Sequence, residues 1–420
     1  MQVLKNRIIK KLKKNEKVFL TGGAGVGKTT LVCEIIDIFE EDAKKVAKLA
    51  STGMAATLIG GQTLHSFLDL GIASDIETLQ RDGKFELKKK IQKLISSMSL
   101  IVIDEISMVS DTLFDMIRLR LSQANFKGAI LVVGDFLQLP PVVRGKNEVK
   151  FAFESKSWQE YQFEKIELTH IYRTDDKNFI ELLNHIRFGV IDETIHNHLN
   201  SYIKPIPHDL HDFTFLFGKN SSSIRHNKKQ LESINNELVI KEAEIIIHKK
   251  STKEYEIDRF LEDARIEREL NLKIDAPVLF TRNSWNYFNG ERGVIINIDN
   301  NFIYIEKSDK KIIKLETMVQ HRTRWIEKIV DGKKELLEEA LFSVYQFPIK
   351  LAFAITIHKS QGMSIEDLII ETNEIFAPSQ FYVALSRSSN PARLNLIAPK
   401  VQWYKLAFVN SKAMEFVKIT

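Results

Sequence analysis

Val18-Phe19-Leu20-Thr21-Gly22-Gly23-Ala24-Gly25-Val26-Gly27-Lys28-Thr29-Thr30 sets a short apolar run, a glycine-rich turn and a lysine–threonine pair in immediate succession. Residues 31–39 continue as an apolar helical pattern. The eight residues from Gly22 to Thr29 match G-x-x-x-x-G-K-[ST], placed between a strand and a helix. Glycines let backbone N–H groups turn inward around phosphate oxygens, and the helix N-terminus adds its positive dipole end. Gly22, Gly23, Ala24, Gly25, Val26 and Gly27 are thus read as the phosphate cradle. Lys28 is read as reaching the β- and γ-phosphates and Thr29 as a Mg²⁺ ligand, with Thr30 beside them.

A second strand supplies the partner of this turn. Leu100-Ile101-Val102-Ile103 ends in Asp104-Glu105, which puts two carboxylates at the carboxyl edge of a sheet, where ligands of α/β proteins bind. Asp104 suits a magnesium shell and Glu105 suits a general base that aligns attacking water. Hydrolysis of ATP or GTP follows. Further unalternating apolar runs occur at residues 130–133, 213–217, 354–357 and 368–370. Strands buried on both faces read this way, and helical stretches such as 111–121 lie between them. The class is α/β, built on parallel sheets.

Composition bounds the remainder. The chain has 420 residues, too many for one ordinary core, and 44% hydrophobic with 27% charged residues is a globular balance. A formal charge of +5 is compatible with a polyanionic partner without requiring one. Cys33 is the single cysteine, so no internal disulfide or cysteine-rich zinc site forms. His208 and His211 share no metal-ligand pattern with a third ligand and read as solvated loop residues. No apolar run approaches a membrane span. Residues 1–14 are basic like a transit peptide, but the phosphate turn begins so soon after them that an uncleaved, soluble chain is expected. Two regions break the α/β pattern. Residues 68–97 turn polar and charged, with Lys88-Lys89-Lys90, and read as a small insertion. Residues 285–346 alternate turn signals such as Asn289-Gly290 with β-branched runs, the pattern of a small antiparallel module. Residues 235–270 look charged and helical.

Many phosphate-binding turns belong to kinases or switches, and the features that discriminate lie downstream. Gln138, in Gly134-Asp135-Phe136-Leu137-Gln138, is placed to sense a γ-phosphate. Arg173, in Leu168-Thr169-His170-Ile171-Tyr172-Arg173, and Arg387, in Tyr382-Val383-Ala384-Leu385-Ser386-Arg387, are distant arginines that could couple hydrolysis to domain motion. With these residues the chain resembles the Pif-type (petite-integration-frequency) helicases, in the RecD-like branch of helicase superfamily one. The resemblance runs in order through Thr52-Gly53-Met54-Ala55-Ala56, Gly60-Gly61-Gln62-Thr63-Leu64-His65-Ser66-Phe67, Asp104-Glu105-Ile106-Ser107-Met108, the Gly134 motif, Ser157-Trp158 and the Arg173 motif, then Thr356-Ile357-His358-Lys359-Ser360-Gln361-Gly362-Met363 and the Arg387 motif.

The resemblance implies two RecA-like P-loop NTPase cores, with nucleotide at their interface, and two insertions. The first core is placed at 1–67 and 98–155, a wedge at 68–97, the second core at 156–284 and 347–420, and an SH3-like β insertion at 285–346. It implies an ATP- and Mg²⁺-dependent DNA helicase that moves 5′-to-3′ on single-stranded DNA and unwinds duplex or forked DNA, in repair or recombination. Lys28, Glu105, Gln138, Arg173 and Arg387 are its catalytic set, and Gly362 joins the nucleotide contacts. Thr52, Gly53, Thr63, His65, Asn283, Thr356, His358 and Lys359 are its DNA contacts. Each of His65 and His358 has an alternative as a structural histidine bonded to nearby backbone, Lys88 to Lys90 read as a solvated helix face, and Phe85 is a candidate strand splitter. The family's adenine-reading glutamine has only Gln2 as a counterpart, at slightly long spacing. A monomer with no membrane partner is expected, cytoplasmic or nucleoid-associated in a bacterium and nuclear or mitochondrial in a eukaryote. Two alternatives stay open: a RecD-type translocase without autonomous unwinding, and a nucleotide-dependent DNA-binding switch.

Overall fold

The computed structural model describes residues 1–71, 73–142, 148–205, 213–264, 266–330, 333–398 and 402–419. His208 and His211 lie outside the described residues. The chain divides into two compact units, the first of Met1–Tyr172, Thr323–Glu339 and Asn410–Thr420, the second of Arg173–Arg322 and Ala340–Val409.

Unit 1 opens with α1 (Gln2–Leu12), which buries Ile8 and Leu12 in the core. There follow β1 (Lys17–Gly22), α2 (Lys28–Glu41), β2 (Val46–Ala50), α3 (Gly53–Leu58), β3 (Gln62–Thr63) and α4 (Leu64–Phe67). The charged insertion holds α5 (Ile76–Arg81) and α6 (Lys89–Ser96). Next come β4 (Leu100–Asp104), α7 (Asp111–Gln123), β5 (Ala129–Val133), α8 (Lys156–Tyr161) and β6 (Glu164–Leu168). Every strand pairing in this sheet is parallel, in the order β3-β2-β4-β5-β1-β6. Strands β4 and β5 are buried at all five positions, which explains their unbroken apolar reading. On one face α2 seats Leu31, Val32, Ile35, Ile36 and Phe39, a stripe at helical spacing.

The expected start of the second core at residue 156 is corrected. β6 pairs with β1 from Val18↔Glu164 to Gly22↔Leu168, and Trp158 of α8 packs against Phe19 and Phe114. A strand hydrogen-bonded to the edge of a sheet belongs to that sheet, so unit 1 runs on to Tyr172. The end of the chain is corrected as well. In α15 (Ser411–Ile419), Phe416 stacks on Phe153 at 4.3 Å and meets Phe136 edge-on at 5.3 Å, so this helix completes the first core.

Unit 2 contains α9 (Lys177–Arg187), α10 (Glu193–Ser201), β7 (Thr214–Phe217) and α11 (Asn220–Ser233). It goes on through β8 (Val239–Glu242), β9 (Glu244–Ile247), α12 (Glu254–Ala264) and β10 (Glu269–Leu272). Residues 235–270, expected to be helical, hold the helix α12 but also β8, β9 and the start of β10, where apolar residues sit in runs such as Ile245-Ile246-Ile247 that pair with a neighbour rather than form a helical stripe. Then come β11 (Pro277–Phe280), β12 (Arg292–Ile298), β13 (Ile303–Lys307), β14 (Ile312–Leu315), β15 (Met318–Val330), β16 (Lys333–Gln346) and β17 (Ile349–Leu351). An antiparallel sheet takes the order β14-β13-β12-β11-β17, so this module extends beyond residues 285–346 on both sides. The boundary was hidden because β11, buried at every position, reads like one more core strand. The chain closes with β18 (Ala354–Thr356), β19 (Leu368–Glu371), α13 (Gln380–Leu385), β20 (Leu394–Ile397) and α14 (Trp403–Leu406) before α15. Strands β18, β7, β19 and β20 make a second parallel sheet, in that order.

Candidate active site

In unit 1 the singled-out residues gather at the carboxyl ends of the strands, the usual binding edge of a parallel sheet. The turn after β1 is set by Gly22, whose φ is 145°. A Cβ there would stand 2.3 Å from the carbonyl oxygen of Leu168, so no other residue fits. Gly27 caps α2 in the left-handed region, and Lys28 opens the helix. The Lys28 ammonium donates to the carbonyl oxygens of Gly22 at 2.7 Å and Gly23 at 2.9 Å, which aims its charge into the turn. Thr29 is half-buried beside it and Thr30 is exposed.

Asp104 ends β4 in register with Ala50 of β2 and is buried. Burial, and next the adjacent Glu105 carboxylate, push its pKa up to about 7, against the opposing pull of Lys28 and of the Glu105 N–H that donates to it at 2.8 Å. A carboxylate so placed is short of positive charge. With the Thr29 hydroxyl it offers the hard oxygen donors that suit Mg²⁺, an ion that keeps several waters and needs few protein ligands. Among the described residues no group of three or more His, Cys, Asp or Glu could hold a metal. Glu105 itself adopts φ 53° and ψ 48°, a left-handed conformation that non-glycine residues rarely hold except where function requires it. The Ser51 hydroxyl donates to its carbonyl at 3.1 Å and helps fix that turn. After β5, Asp135 accepts from the Leu137 amide at 3.1 Å, and Gln138 lies buried in the same turn.

One contributor escaped the sequence reading. The Tyr172 amide donates to the Gly25 carbonyl at 2.8 Å, and its exposed ring passes 3.7 Å from where a Cβ on Gly27 would stand. The Met1 methyl lies 3.4 Å from the same point, which brings the start of α1 to the phosphate turn. Gln2 is exposed there, and its side chain donates to Asn6 at 3.3 Å. Arg120 was missed as well. It is fully buried and donates to the carbonyls of Leu68, Asp69, Lys84 and Phe85, so one guanidinium clasps the start of the insertion to its middle. Phe85 is held here by its backbone, and Lys88 pairs with Asp69 at 2.8 Å.

Unit 2 brings its two arginines together. Arg173 donates to the Ser364 hydroxyl at 2.9 Å and to the Ser386 carbonyl at 2.5 Å, and burial lowers its pKa to about 10, still charged at neutral pH. Arg387 is only 2% exposed and donates to the carbonyls of Val383, Ser360 and Met363 and to the Ser386 hydroxyl. In this conformation Arg387 ties α13 to the turn after β18, and Gly362 completes that turn at φ 78°.

The three threonines expected at DNA act locally as caps. The hydroxyl oxygens of Thr52, Thr63 and Thr356 accept from the amides of Ala55, Ser66 and Lys359 at 3.2, 3.4 and 3.3 Å. A capping hydroxyl still has its proton to donate, and a phosphate is an acceptor. Thr356 is 4% exposed, and its hydroxyl oxygen serves the turn. Gly53 opens α3, and His65 and His358 are half-buried. Lys359 donates to Asn220 at 2.9 Å, and the exposed Asn283 accepts from the Asn289 amide at 2.8 Å.

A family model described as PIF1-like helicase matches residues 2–197. A protein of Campylobacter jejuni named ATP-dependent DNA helicase Pif1 is 39% identical over 98% of this chain and 96% of its own length. One of the same name from Bdellovibrio bacteriovorus is 32% identical over 97% of this chain and 89% of its own. Among solved structures, Bacteroides Pif1 in complex with ADP-AlF4 superposes with a TM-score of 0.82 at 25% identity, covering 99% of this chain and 96% of that one. Bacteroides Pif1 bound to single-stranded DNA superposes with a TM-score of 0.66 at 26% identity, covering 99% and 95%.

Proposed function

Since the chain belongs to the PIF1-like helicase family and is an ATP-dependent DNA helicase built on two RecA-like cores, we propose that it moves 5′-to-3′ along single-stranded DNA and opens duplexes and forks as a monomer. The observation that supports its ATP-driven step is the convergence of Lys28, Thr29, Asp104 and Glu105 at the carboxyl edge of one six-stranded parallel sheet. Lys28 binds the outer phosphates of ATP, and Glu105 orients the attacking water and takes its proton as the terminal phosphate bond breaks. Thr29 and Asp104 hold Mg²⁺, which when bound offsets phosphate charge. Gln138 lies in the turn beside them as a sensor of the terminal phosphate, Gly362 is its counterpart turn in unit 2, and Arg173 with Arg387 makes unit 2 responsive to nucleotide state.

Thr52, Gly53, Thr63, His65, Asn283, His358 and Lys359 supply the grip on the strand. Residues 68–97 act as the strand-separating wedge, and residues 277–351 contain the SH3-like insertion. No helix among the described residues is long and apolar enough to cross a membrane. The test is unwinding of otherwise identical duplexes carrying a 5′ or a 3′ single-stranded tail, with ATP and Mg²⁺. Only the 5′-tailed duplex should open. Opening of the 3′-tailed duplex alone would reverse the polarity, and ATP turnover on single strands with neither duplex opened would identify a translocase.

A further inference from the structure

The loop between β11 and β12 carries an aromatic side chain with no packing role. Trp285 is 100% exposed, and Phe288, three residues on, is also exposed. Covering a tryptophan ring is one of the largest apolar gains a side chain offers, and here it is wholly forgone. The loop around it is braced. Asn283 Oδ1 accepts from the Asn289 amide at 2.8 Å, Ser284 N donates to the Tyr287 carbonyl at 2.8 Å, and Phe288 N donates to Glu291 at 3.0 Å. Tyr287 turns inward and stacks on Phe280 at 4.2 Å. Trp285 is thus held in water by a fixed loop.

A second observation lies at the other end of the loop. Gly290 is seated on the turn that follows β18: a Cβ there would stand 2.9 Å from the Met363 Cβ and 3.0 Å from the Ser364 carbonyl. Within two residues of this contact on either side are Asn289 and Gln361, each 8% exposed. Both polar atoms of the Asn289 side-chain amide, and Nε2 of Gln361, are buried without a hydrogen-bond partner. Buried amides left unpaired are costly, and a ligand that pairs them recovers that cost.

We propose that Trp285 and Phe288, together with the Asn289 and Gln361 amides, form a stacking subsite for bases of single-stranded DNA, continuous with the turn that carries His358 and Lys359. Every base has a π-face, so stacking on an exposed ring grips a strand whatever its sequence, and an amide offers a donor and an acceptor to a base edge or a sugar. The charges agree. Half-buried Arg282 stands at the start of the loop, and the Glu291 carboxylate is matched by Lys307 at 2.9 Å, so negative charge on the loop is offset.

The proposal rests on the helicase reading, and one experiment separates the two. The full chain is titrated with a thymidine oligonucleotide of about 12 residues, followed by tryptophan fluorescence and by anisotropy of an end-labelled strand. Trp158 and Trp403 are buried, and Trp285→Phe assigns the signal to the exposed ring among the chain's four tryptophans. In the parent chain the oligonucleotide quenches the emission. Trp285→Phe keeps a ring and should bind within about 3-fold of the parent without that quenching, whereas Trp285→Ala should lose roughly 5- to 150-fold in affinity. Both variants should melt within about 2 °C of the parent, as fully exposed positions do. Parent-like affinity in Trp285→Ala, with DNA-stimulated ATP turnover intact, overturns the subsite and leaves the helicase reading standing. A parent chain that does not bind the oligonucleotide overturns both.

Discussion

Each unit ends an edge strand on the same three-residue pattern. In unit 1, β3 runs into Thr63-Leu64-His65; in unit 2, β18 runs into Thr356-Ile357-His358. Both threonines cap the turn that follows, through amides three residues on, and both histidines come out half-buried at the carboxyl end of a parallel sheet. The likeness then stops. Unit 1 adds a glycine turn with a lysine, shaped by near neighbours in the chain, and an acid pair of which Asp104 is buried and Glu105 half-buried. Unit 2 adds two guanidiniums held by carbonyls and hydroxyls, Arg173 from segments about 200 residues away in sequence and Arg387 from its own helix and the turn after β18. A common way of presenting an imidazole serves both units, and the charged chemistry is divided between them.

The division predicts opposite failures. Arg173→Ala and Arg387→Ala should each cut DNA-stimulated ATP turnover on the order of 10³-fold or more while nucleotide binding persists. They should differ in stability: Arg387 is buried among carbonyls, so its loss also lowers the melting temperature, and loss of Arg173 does so less. Lys28→Ala should instead weaken nucleotide binding itself and lower turnover roughly 10²- to 10³-fold, the scale of one preorganised donor. Equal nucleotide affinity in Lys28→Ala and the parent, measured by calorimetry, would remove the asymmetry.

The two ends also differ in how far sequence revealed them. The phosphate turn could be read because its geometry is local: Gly22, Gly27, Lys28 and Thr29 are placed by the turn they themselves form. The apolar β1, β4 and β5 strands were legible for a similar reason, since burial on both faces leaves an unbroken run. The limit of unit 1 was not legible, because β6 belongs to it only through pairing with β1, and Phe416 only through a ring stack with Phe153. The burial of Thr356 and the clasp made by Arg120 depend likewise on neighbours that spacing does not disclose. Arg120 gives the sharpest check on that non-local class. Arg120→Ala removes a donor from four carbonyls, of which Phe85 keeps Gln123, and should cost about 3 kcal/mol of stability, seen as a lower denaturant midpoint. Where the protein remains folded, duplex unwinding should fall further than single-strand-stimulated ATP turnover, because the clasp holds the insertion and not the phosphate turn.

The shared imidazoles test the likeness itself. His65→Ala and His358→Ala should each weaken single-stranded DNA binding by about 5-fold, the low end of one stacked or hydrogen-bonded base contact, with nucleotide affinity unchanged. A loss confined to one of them would assign the grip to that unit alone and make the other histidine a structural one.

The smallest effect probes the threonines, where the two turns look most alike and burial sets them apart. Replacing either with valine keeps the shape and removes the cap, at a cost of about 1 kcal/mol. Thr63 is half-buried, so its hydroxyl proton remains available to a phosphate oxygen, whereas the enclosure of Thr356 predicts no such second use. Thr63→Val should therefore lose stability and DNA affinity together, and Thr63→Ser should restore both. Thr356→Val should lose stability with DNA affinity kept within about 2-fold of the parent, because a buried cap acts only on its own turn. If Thr356→Val weakens DNA binding as much as Thr63→Val does, the buried hydroxyl reaches the strand after all, and the two turns are equivalent in function as well as in sequence.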